Sequence, residues 1–337
     1  MSILTELEKT NAIQELDEIA YAFWKSRALF TACELDIFTI IGEHGKTAEH
    51  IALETKSDKE GIKRLLNAMV ALELLVKNEE YYRNTAKSKA LLIKGSPDFM
   101  GNIMHLSNLW DVWTHLTGSI QKGGPEIYQE FWEKDDDWMR NNVESHHWKS
   151  IYEAKGLIDF IDVRNVKKVL DLGGSSGHYL VKLMEKKPDL ECTIFDHPRV
   201  IQFAKEILKN EGLENKIRTI SGGFFDEEFG EENEYDLIII SHIISEYSIW
   251  DNVALIQKAY YFLNYGGTLI VHDNIIDDSR TSPLDCTLMS LDMLVNTRSG
   301  DVYTETDIWV MMREAMLSDI KKVKTNFGTS IMVGHKY

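Results

Sequence analysis

The segment VLDLGGSSGHYLVKLM, residues 169–184, constrains this chain more than any other stretch. Apolar residues run into a cluster of glycines and out into a helix-spaced stretch, which reads as strand, turn and helix. Gly173, Gly174 and Gly177 let the backbone turn tightly and leave a ligand room against bare main chain. The helix that follows aims its free N–H groups at whatever lies in the turn. Glycine turns after a first strand serve many ligands, so the surroundings must decide the class.

From residue 166 onward, short β-branched runs alternate with helical stretches: KKVLDLG, HYLVKLMEKKP, LECTIFD, RVIQFAKEILKNEG, KIRTISG, YDLIIISHII, NVALIQKAYYFLNYGG and TLIVHDN. Apolar strands separated by helices mean a parallel sheet covered on both faces. The C-terminal runs KKVKTN and TSIMVGH suit an antiparallel edge hairpin. Asp196 closes the second strand, 25 positions after Asp171. A carboxylate there can accept hydrogen bonds from both hydroxyls of a ribose. Ser175 stands where a GxGxxG turn has its second glycine, and Asp171 places another acid inside the turn. Both features suit a cationic cofactor better than a pyrophosphate.

The first hundred residues read as helices with short polar breaks. Leu16, Ile19, Ala20, Phe23 and Trp24 have the spacing of a buried helical face. Thr47 and Asp58 stand as N-caps before AEHIA and KEGIKRLLNAMVAL, and LLVKNEEYYRNT suggests a hairpin around Asn78–Glu80. Three helices followed by such a wing are the order of a winged-helix module. Residues 100–160 concentrate Trp, Met and His, as a pocket lining or as plain packing. The charged run Glu133–Asp137 reads as a solvated turn.

A net charge of −17 argues against nucleic acid, and the helix a DNA-binding wing would use carries only Lys59, Lys63 and Arg64 as cations. Cys33, Cys192 and Cys286 lie far apart with no CxxC pair, which suits reduced cytosolic thiols. The N-terminus lacks an apolar signal core, and no stretch approaches the ~20 apolar residues of a membrane span. A cytoplasmic protein is expected. Two other classes stay open at this point. Ser175 in GGSSG, with Asp273 and His335 following, fits the chain order of a serine hydrolase. A DNA-binding regulator is the other.

Taken together, these segments resemble the plant-type and bacterial small-molecule O-methyltransferase family across nearly the whole chain. AFWKSRALFTACELDIFTII with KTAEHIALETKSDKEGIKRLLNAMVALELL is similar to its winged-helix dimerisation domain. VLDLGGSSGHYL resembles the cofactor loop, FDHPRVI the ribose-binding strand end and SGGFFDE the loop against the adenine. The resemblance implies an α/β Rossmann-like domain with a mostly parallel seven-stranded sheet behind a mainly α, winged-helix-like dimerisation domain. The implied boundaries are 1–100 for the dimerisation domain, 101–160 for a helical linker contributing to the acceptor pocket, and 161–337 for the catalytic domain. It also implies S-adenosylmethionine as methyl donor, no metal, a homodimer, and a small acceptor methylated on oxygen or, in some members, carbon; the Trp, Met and Phe residues around the expected pocket suit a largely apolar, aromatic one. The donor is expected across Asp171, Gly173, Gly174, Gly177, Asp196, His197, Gly223, Phe224, Phe225, Ser241 and Tyr247. The acceptor is expected near Met104, His105, Trp138, Met139, His146, His147, Met289 and Met293.

The departures carry as much information. Where the family has its general-base histidine, in a His-Asp-Trp run, this chain has Ser245-Glu246-Tyr247. One flanking acid is kept as Asp273, whereas Val302 stands at the other acid's position, and Gly223 replaces an Asp of the adenine loop. A phenol of pKa about 10 needs help to lose its proton near neutrality, and serine cannot take it. Another histidine can take over, with His242, His272, His146 and His147 as candidates. The acceptor can instead be acidic enough to need no base, or the chain can bind the donor without methylating. His272, beside Asp273 at a strand end, sits where open α/β sheets place ligands. Restoring the lost base by Ser245→His is expected to raise phenol methylation by roughly tenfold or more. Transfer of a labelled methyl group measures it, and no change with any phenol would count against a lost base.

Overall fold

A computed structural model of the chain describes residues 4–325 and 329–337. The first three residues of the acidic N-terminus and Asn326, the end of KKVKTN, lie outside the described residues. The chain divides into two compact units, Met1–Ser107 and Asn108–Tyr337.

The first unit opens with the long helix α1 (Glu6–Glu34), where Thr5 and Glu8 form a capping box. There follow α2 (Ile37–Ile41), β1 (Lys46–Thr47), α3 (Ala48–Glu54), α4 (Lys59–Ala71), β2 (Leu75–Asn78), β3 (Tyr81–Asn84), α5 (Ala86–Leu91) and the start of α6 (Asn102–Trp113). The hydroxyl of Thr47 accepts from the His50 amide, and the Asp58 carboxylate accepts from the Gly61 amide, so both helix starts are capped as their sequences require. The strands form an antiparallel sheet in the order β1-β3-β2. On α4, Ile62, Leu66 and Met69 recur at helical spacing and are buried with Phe38, Ile51 and Tyr82.

The second unit continues through α7 (Leu116–Lys122) to α8 (Asp136–Phe160). The acidic residues of the run at 133–137 are exposed as expected, but Asp135–Asp137 start a helix where a turn is expected. Asp135 caps α8 by accepting from the Trp138 amide, and Asp136 and Asp137 sit favourably in its first turn. Then come β4 (Lys168–Leu172), α9 (His178–Lys186), β5 (Glu191–Asp196), α10 (Pro198–Asn210), β6 (Ile217–Ser221), β7 (Tyr235–Ser241), α11 (Ile249–Phe262), β8 (Leu263–Asp273), α12 (Leu284–Asn296), α13 (Glu305–Glu314), β9 (Ser318–Lys324) and β10 (Ser330–His335). The strands form one seven-stranded sheet in the order β6-β5-β4-β7-β8-β10-β9. Pairing is parallel from β6 to β8, and the C-terminal hairpin of β9 and β10 adds antiparallel strands at one edge.

Alternate residues of each strand face opposite sides. Leu170, Leu172, Ile238, Ile240, Leu269 and Val271 pack against α11 and α13. Val169, Leu237, Ile239 and Ile270 pack against α8, α9 and α10. Such double coverage is why these strands read as continuous apolar runs. The strand order reverses at β4, whose C-terminal end is therefore a topological switch point, the place where open sheets bind ligands.

Among the described residues no helix is long and apolar enough to cross a membrane. Helix α1 nevertheless leaves Leu7, Ile13, Leu16, Ile19, Phe23 and Trp24 exposed. An apolar stripe of this extent is more than a monomer normally shows to water and marks an association surface. Replacing Ile19 and Phe23 together by Glu is expected to halve the mass measured by light scattering; an unchanged mass would remove α1 from the interface.

Candidate active site

The glycines of the turn are required by packing as well as by conformation. A Cβ on Gly173, at φ +79°, would lie 2.3 Å from the Ile243 side chain. One on Gly174 would lie 2.8 Å from Cγ of Asp171, so that carboxylate occupies the space a side chain would need. Gly177, also at positive φ, meets Ile194. Ser175 takes φ +47° with its hydroxyl buried and unpartnered.

Two carboxylates stand at this turn. Both oxygens of Asp171 are buried without a hydrogen-bond partner, and burial, with Asp196 close by, raises its carboxyl to about 7. Asp196 is anchored on each oxygen: the Ser175 amide donates to Oδ2 at 2.9 Å and the His197 amide to Oδ1 at 2.7 Å. Burial outweighs these two donors and raises it to about 6. His197 caps α10 by accepting from the Arg199 amide, and its ring stacks on Trp132. Beyond β6, Gly223 opens a tight turn that presents Phe224, half-buried, and Phe225, exposed. Both rings meet the Tyr247 ring edge-on, at 6.2 and 5.2 Å between centroids.

Past β7 the chain turns sharply at His242, which takes φ +55°. Ser245 follows and is buried, and Val302 is fully buried beside Ile276 and Cys286. Nε2 of His242 lies 2.8 Å from Oε2 of Glu153 on α8, and Nδ1 lies 3.6 Å from Oδ1 of Asp273 and 3.3 Å from the Lys149 ammonium. The Asn274 amide donates to Oδ1 of Asp273, while Oδ2 is buried and unpartnered. Burial and Lys149 both push the imidazole of His242 down, yet Glu153 and Asp273 together outweigh them and its pKa is raised. Glu153, despite its burial, is drawn down to about 2 chiefly by His242. Asp273 is likewise buried but lowered by His242.

His272 is not the free base its place at a strand end suggests. It faces α8 and α9, with Nδ1 2.9 Å from the Ser241 hydroxyl and Nε2 2.8 Å from the Thr329 hydroxyl. Burial and the neighbouring His242 lower it to about 3, so it stays neutral. Ligand atoms of Glu153, His242 and His272 come within 4.8 Å of one another. The hydrogen bonds above already account for that proximity. His147 bonds the Ser176 hydroxyl at 2.8 Å and meets His178 edge-on; His146 lies half-buried on the same helix.

Of the expected acceptor contacts, Trp138 and Met139 pack on Val200 and Phe203 of α10. Met104 and His105 belong to the first unit; Met104 packs against its core, and burial lowers His105 to about 4. Met289 accepts a hydrogen bond from the Asn274 amide side chain, and Met293 is buried on the same helix. Nearby chemistry includes Asp292, which accepts from the Trp113 indole at 2.6 Å. Glu246 is exposed to solvent.

The hydrolase arrangement is not formed. His335 pairs with Thr268, midway along β8 and five residues before Asp273, which is about 17 Å along a strand. Its Nδ1 bonds the Thr268 hydroxyl, and the Ser175 hydroxyl has no partner. Glu153 and Lys149 are the residues that sequence reasoning missed. A signal existed: Ser150, Glu153, Ala154 and Leu157 are buried on α8 at helical spacing, so a glutamate falls on an inward stripe.

Residues 113–317 match the model of the O-methyltransferase domain, and residues 17–94 match that of the O-methyltransferase dimerisation domain. The chain is 27% identical over 316 residues to a 3-hydroxy-5-methyl-1-naphthoate 3-O-methyltransferase of Streptomyces sahachiroi, covering 92% of this chain and 90% of the relative. It is 28% identical to the acetylserotonin O-methyltransferase of Gallus gallus, covering 96% and 97%. The crystal structure of human N-acetylserotonin methyltransferase in complex with SAM shares the fold, with a TM-score of 0.87 and 22% identity over 100% of this chain and 99% of that one.

Gly173→Ala combines a left-handed backbone with a clash against Ile243, so it is expected to cost roughly 2 kcal/mol of stability. Urea unfolding monitored by circular dichroism measures the loss, and an unshifted midpoint would show that the turn tolerates a side chain.

Proposed function

The chain belongs to the O-methyltransferase family and is an S-adenosylmethionine-dependent enzyme acting on small molecules, and from that premise we propose where the donor lies and what the acceptor is. The donor is held at the tips of β4 and β5, and the acceptor is a small aromatic compound methylated on a hydroxyl group. The observation that carries the donor site is the anchored Asp196 beside the unpartnered Asp171. A carboxylate oxygen accepts two hydrogen bonds, so each oxygen of Asp196 keeps a lone pair for a ribose hydroxyl after binding its amide. Asp171 offers a buried, unpartnered carboxyl that a cationic amino-acid tail would ionise on binding, which suits such a tail. The bare main chain of Gly173–Gly177 lets that tail lie close.

When bound, S-adenosylmethionine supplies a methyl group on a sulfonium sulfur, an electrophile that needs alignment more than activation. The chain's residues then have three tasks: to hold the acceptor in line, to keep water out, and to receive a proton. Phe224 and Tyr247 flank the turn and serve the second task. The half-buried Trp113 on α6, with Met289 and Met293 on α12, gives the acceptor apolar surface. That two relatives are named for aromatic hydroxyl acceptors supports the same class. The dimerisation domain and the bare stripe on α1 support a homodimer, and β2, β3, α3 and α4 support a winged-helix-like reading of the first unit. Three free, buried cysteines suit a reducing compartment.

Asp196→Ala removes two charge-assisted hydrogen bonds of about 1.5 kcal/mol or more each. Calorimetry with S-adenosylhomocysteine is expected to show at least a hundredfold weaker binding with the fold retained. Equal affinity in the variant, or no heat with the wild-type chain, would sink the donor assignment.

A further inference from the structure

We propose that Asp273 takes the acceptor's proton directly, and that Glu153 and His242 are positioning residues which hold Asp273 for this task in place of the histidine missing at 245; the proposal rests on the methyl-transfer reading above. Asp273 ends β8 beside the sharp turn that closes β7, at the C-terminal edge of the sheet. Its two oxygens differ. Oδ1 accepts from the Asn274 amide at 2.7 Å and faces Nδ1 of His242 at 3.6 Å, whereas Oδ2 is buried with no partner. A carboxylate with one oxygen tethered and the other bare presents a fixed lone pair to whatever enters.

The tether is itself supported. His242 bridges Asp273 to Glu153, whose Oε2 lies 2.8 Å from Nε2 and also accepts from the Tyr179 hydroxyl at 3.3 Å. The groups facing His242 are therefore Glu153 and Lys149 from α8, and Asp273 and His272 from β8, with Tyr179 from α9 reaching Glu153 and His272. Two carboxylates against one ammonium favour the protonated form of the imidazole, and an imidazolium between two carboxylates favours the ionised form of both. His272 adds no charge, since both its nitrogens bind hydroxyls and it stays neutral. An unpaired buried anion at Asp273 would otherwise protonate and lose its basicity.

The step balances without another reactant than the donor. The acceptor oxygen forms a bond to the methyl carbon with its lone pair, and the carbon–sulfur bond pair stays on sulfur. The acceptor's proton passes to Oδ2 of Asp273. A carboxylate suffices because the acceptor oxygen becomes strongly acidic as it gains the methyl group, so proton loss need not precede attack.

The test uses the full chain loaded with S-adenosylhomocysteine. Histidine ring resonances, assigned by a His242→Gln control, report the pH at which His242 loses its proton. The wild-type midpoint is expected above the ordinary 6.5. Glu153→Gln removes the charge that raises it, so the midpoint should fall by about one pH unit or more. With S-adenosylmethionine and a panel of phenols and naphthols, Asp273→Asn should lower kcat at least a hundredfold while S-adenosylhomocysteine affinity changes less than threefold. Glu153→Gln should lower kcat about tenfold and bring the alkaline limb of its pH profile down with the His242 midpoint. An unmoved midpoint, or Asp273→Asn within twofold of wild type, overturns the proposal. Loss of activity in Glu153→Gln with no movement of the alkaline limb also overturns it, because that is what a merely structural glutamate would give. A wild-type chain that binds S-adenosylhomocysteine but methylates none of the panel overturns the acceptor reading instead, and the titration decides the buried relay separately.

Discussion

Two buried carboxyl groups at the tips of adjacent parallel strands, paired with no cation among the described residues, are the feature around which the catalytic unit is arranged. Asp171 and Asp196 both have pKa values well above the ordinary carboxylate range because burial penalises their charged forms, and Asp196 makes Asp171 harder still to ionise. Such a pair costs folding energy that a bound ligand bearing a cation and hydroxyl groups can recover. The surrounding geometry follows from keeping them there. Gly174 must be glycine because Asp171 occupies its side-chain space, and Ser175 adopts a left-handed backbone that turns its amide onto Asp196. The site is thus built to be incomplete, and its affinity for a ligand bearing a diol and a positive charge is the counterpart of that incompleteness.

The same logic separates two kinds of buried acid in this unit. Asp171 and Asp196 have only main-chain donors or none, and their pKa values rise. Glu153 and Asp273 are as well buried but share His242, and their pKa values fall. Burial alone therefore does not decide protonation here. The deciding variable is whether an imidazole lies within ion-pairing distance, and His242 on the turn after β7 lies 2.8 Å from Glu153 and 3.6 Å from Asp273. That turn holds His242 in the left-handed region, a conformation costing a non-glycine residue about 1 kcal/mol, so the packing around it must impose the placement.

Legibility in the sequence followed the range of the interactions. The turn glycines, Asp196, the Thr47 and Asp58 caps and the strand–helix alternation are local patterns, and each appears in the structure where its spacing puts it. The run at 133–137 is solvated as its charge predicts, but Asp135–Asp137 begin a helix, because capping a helix and sitting in a loop demand the same residues and only the helix that follows distinguishes them. His272 was overrated for a related reason. Strand-end position is visible in sequence, but the face a strand residue takes depends on its neighbours, and Ser241 and Thr329 claim both of its nitrogens. Glu153 could not be paired from sequence at all, since its partner His242 lies 89 residues away on another element. What sequence did offer was a glutamate on an inward helical stripe, and a buried glutamate demands a partner.

The loss of His at 245 and of an acid at 302 changes what the remaining acid must do. In a site with a histidine base, flanking acids orient it and stabilise the imidazolium that forms. Here Val302 packs against Ile276 and Cys286, so that side of the site has become apolar. Asp273 persists without a histidine at 245 and has His242 beside it, which reverses the usual order of imidazole and carboxylate. An imidazolium held between two carboxylates is a poor base but a good counter-ion, whereas the carboxylate it steadies is a weak base that never has to leave its ionised state to wait for substrate. Weak basicity is adequate when the acid to be neutralised is an alkylated oxygen rather than a free phenol, because the proton then moves downhill late in the reaction. Alignment thereby becomes the larger part of the chemistry, and a rigid, doubly anchored donor site is what alignment requires.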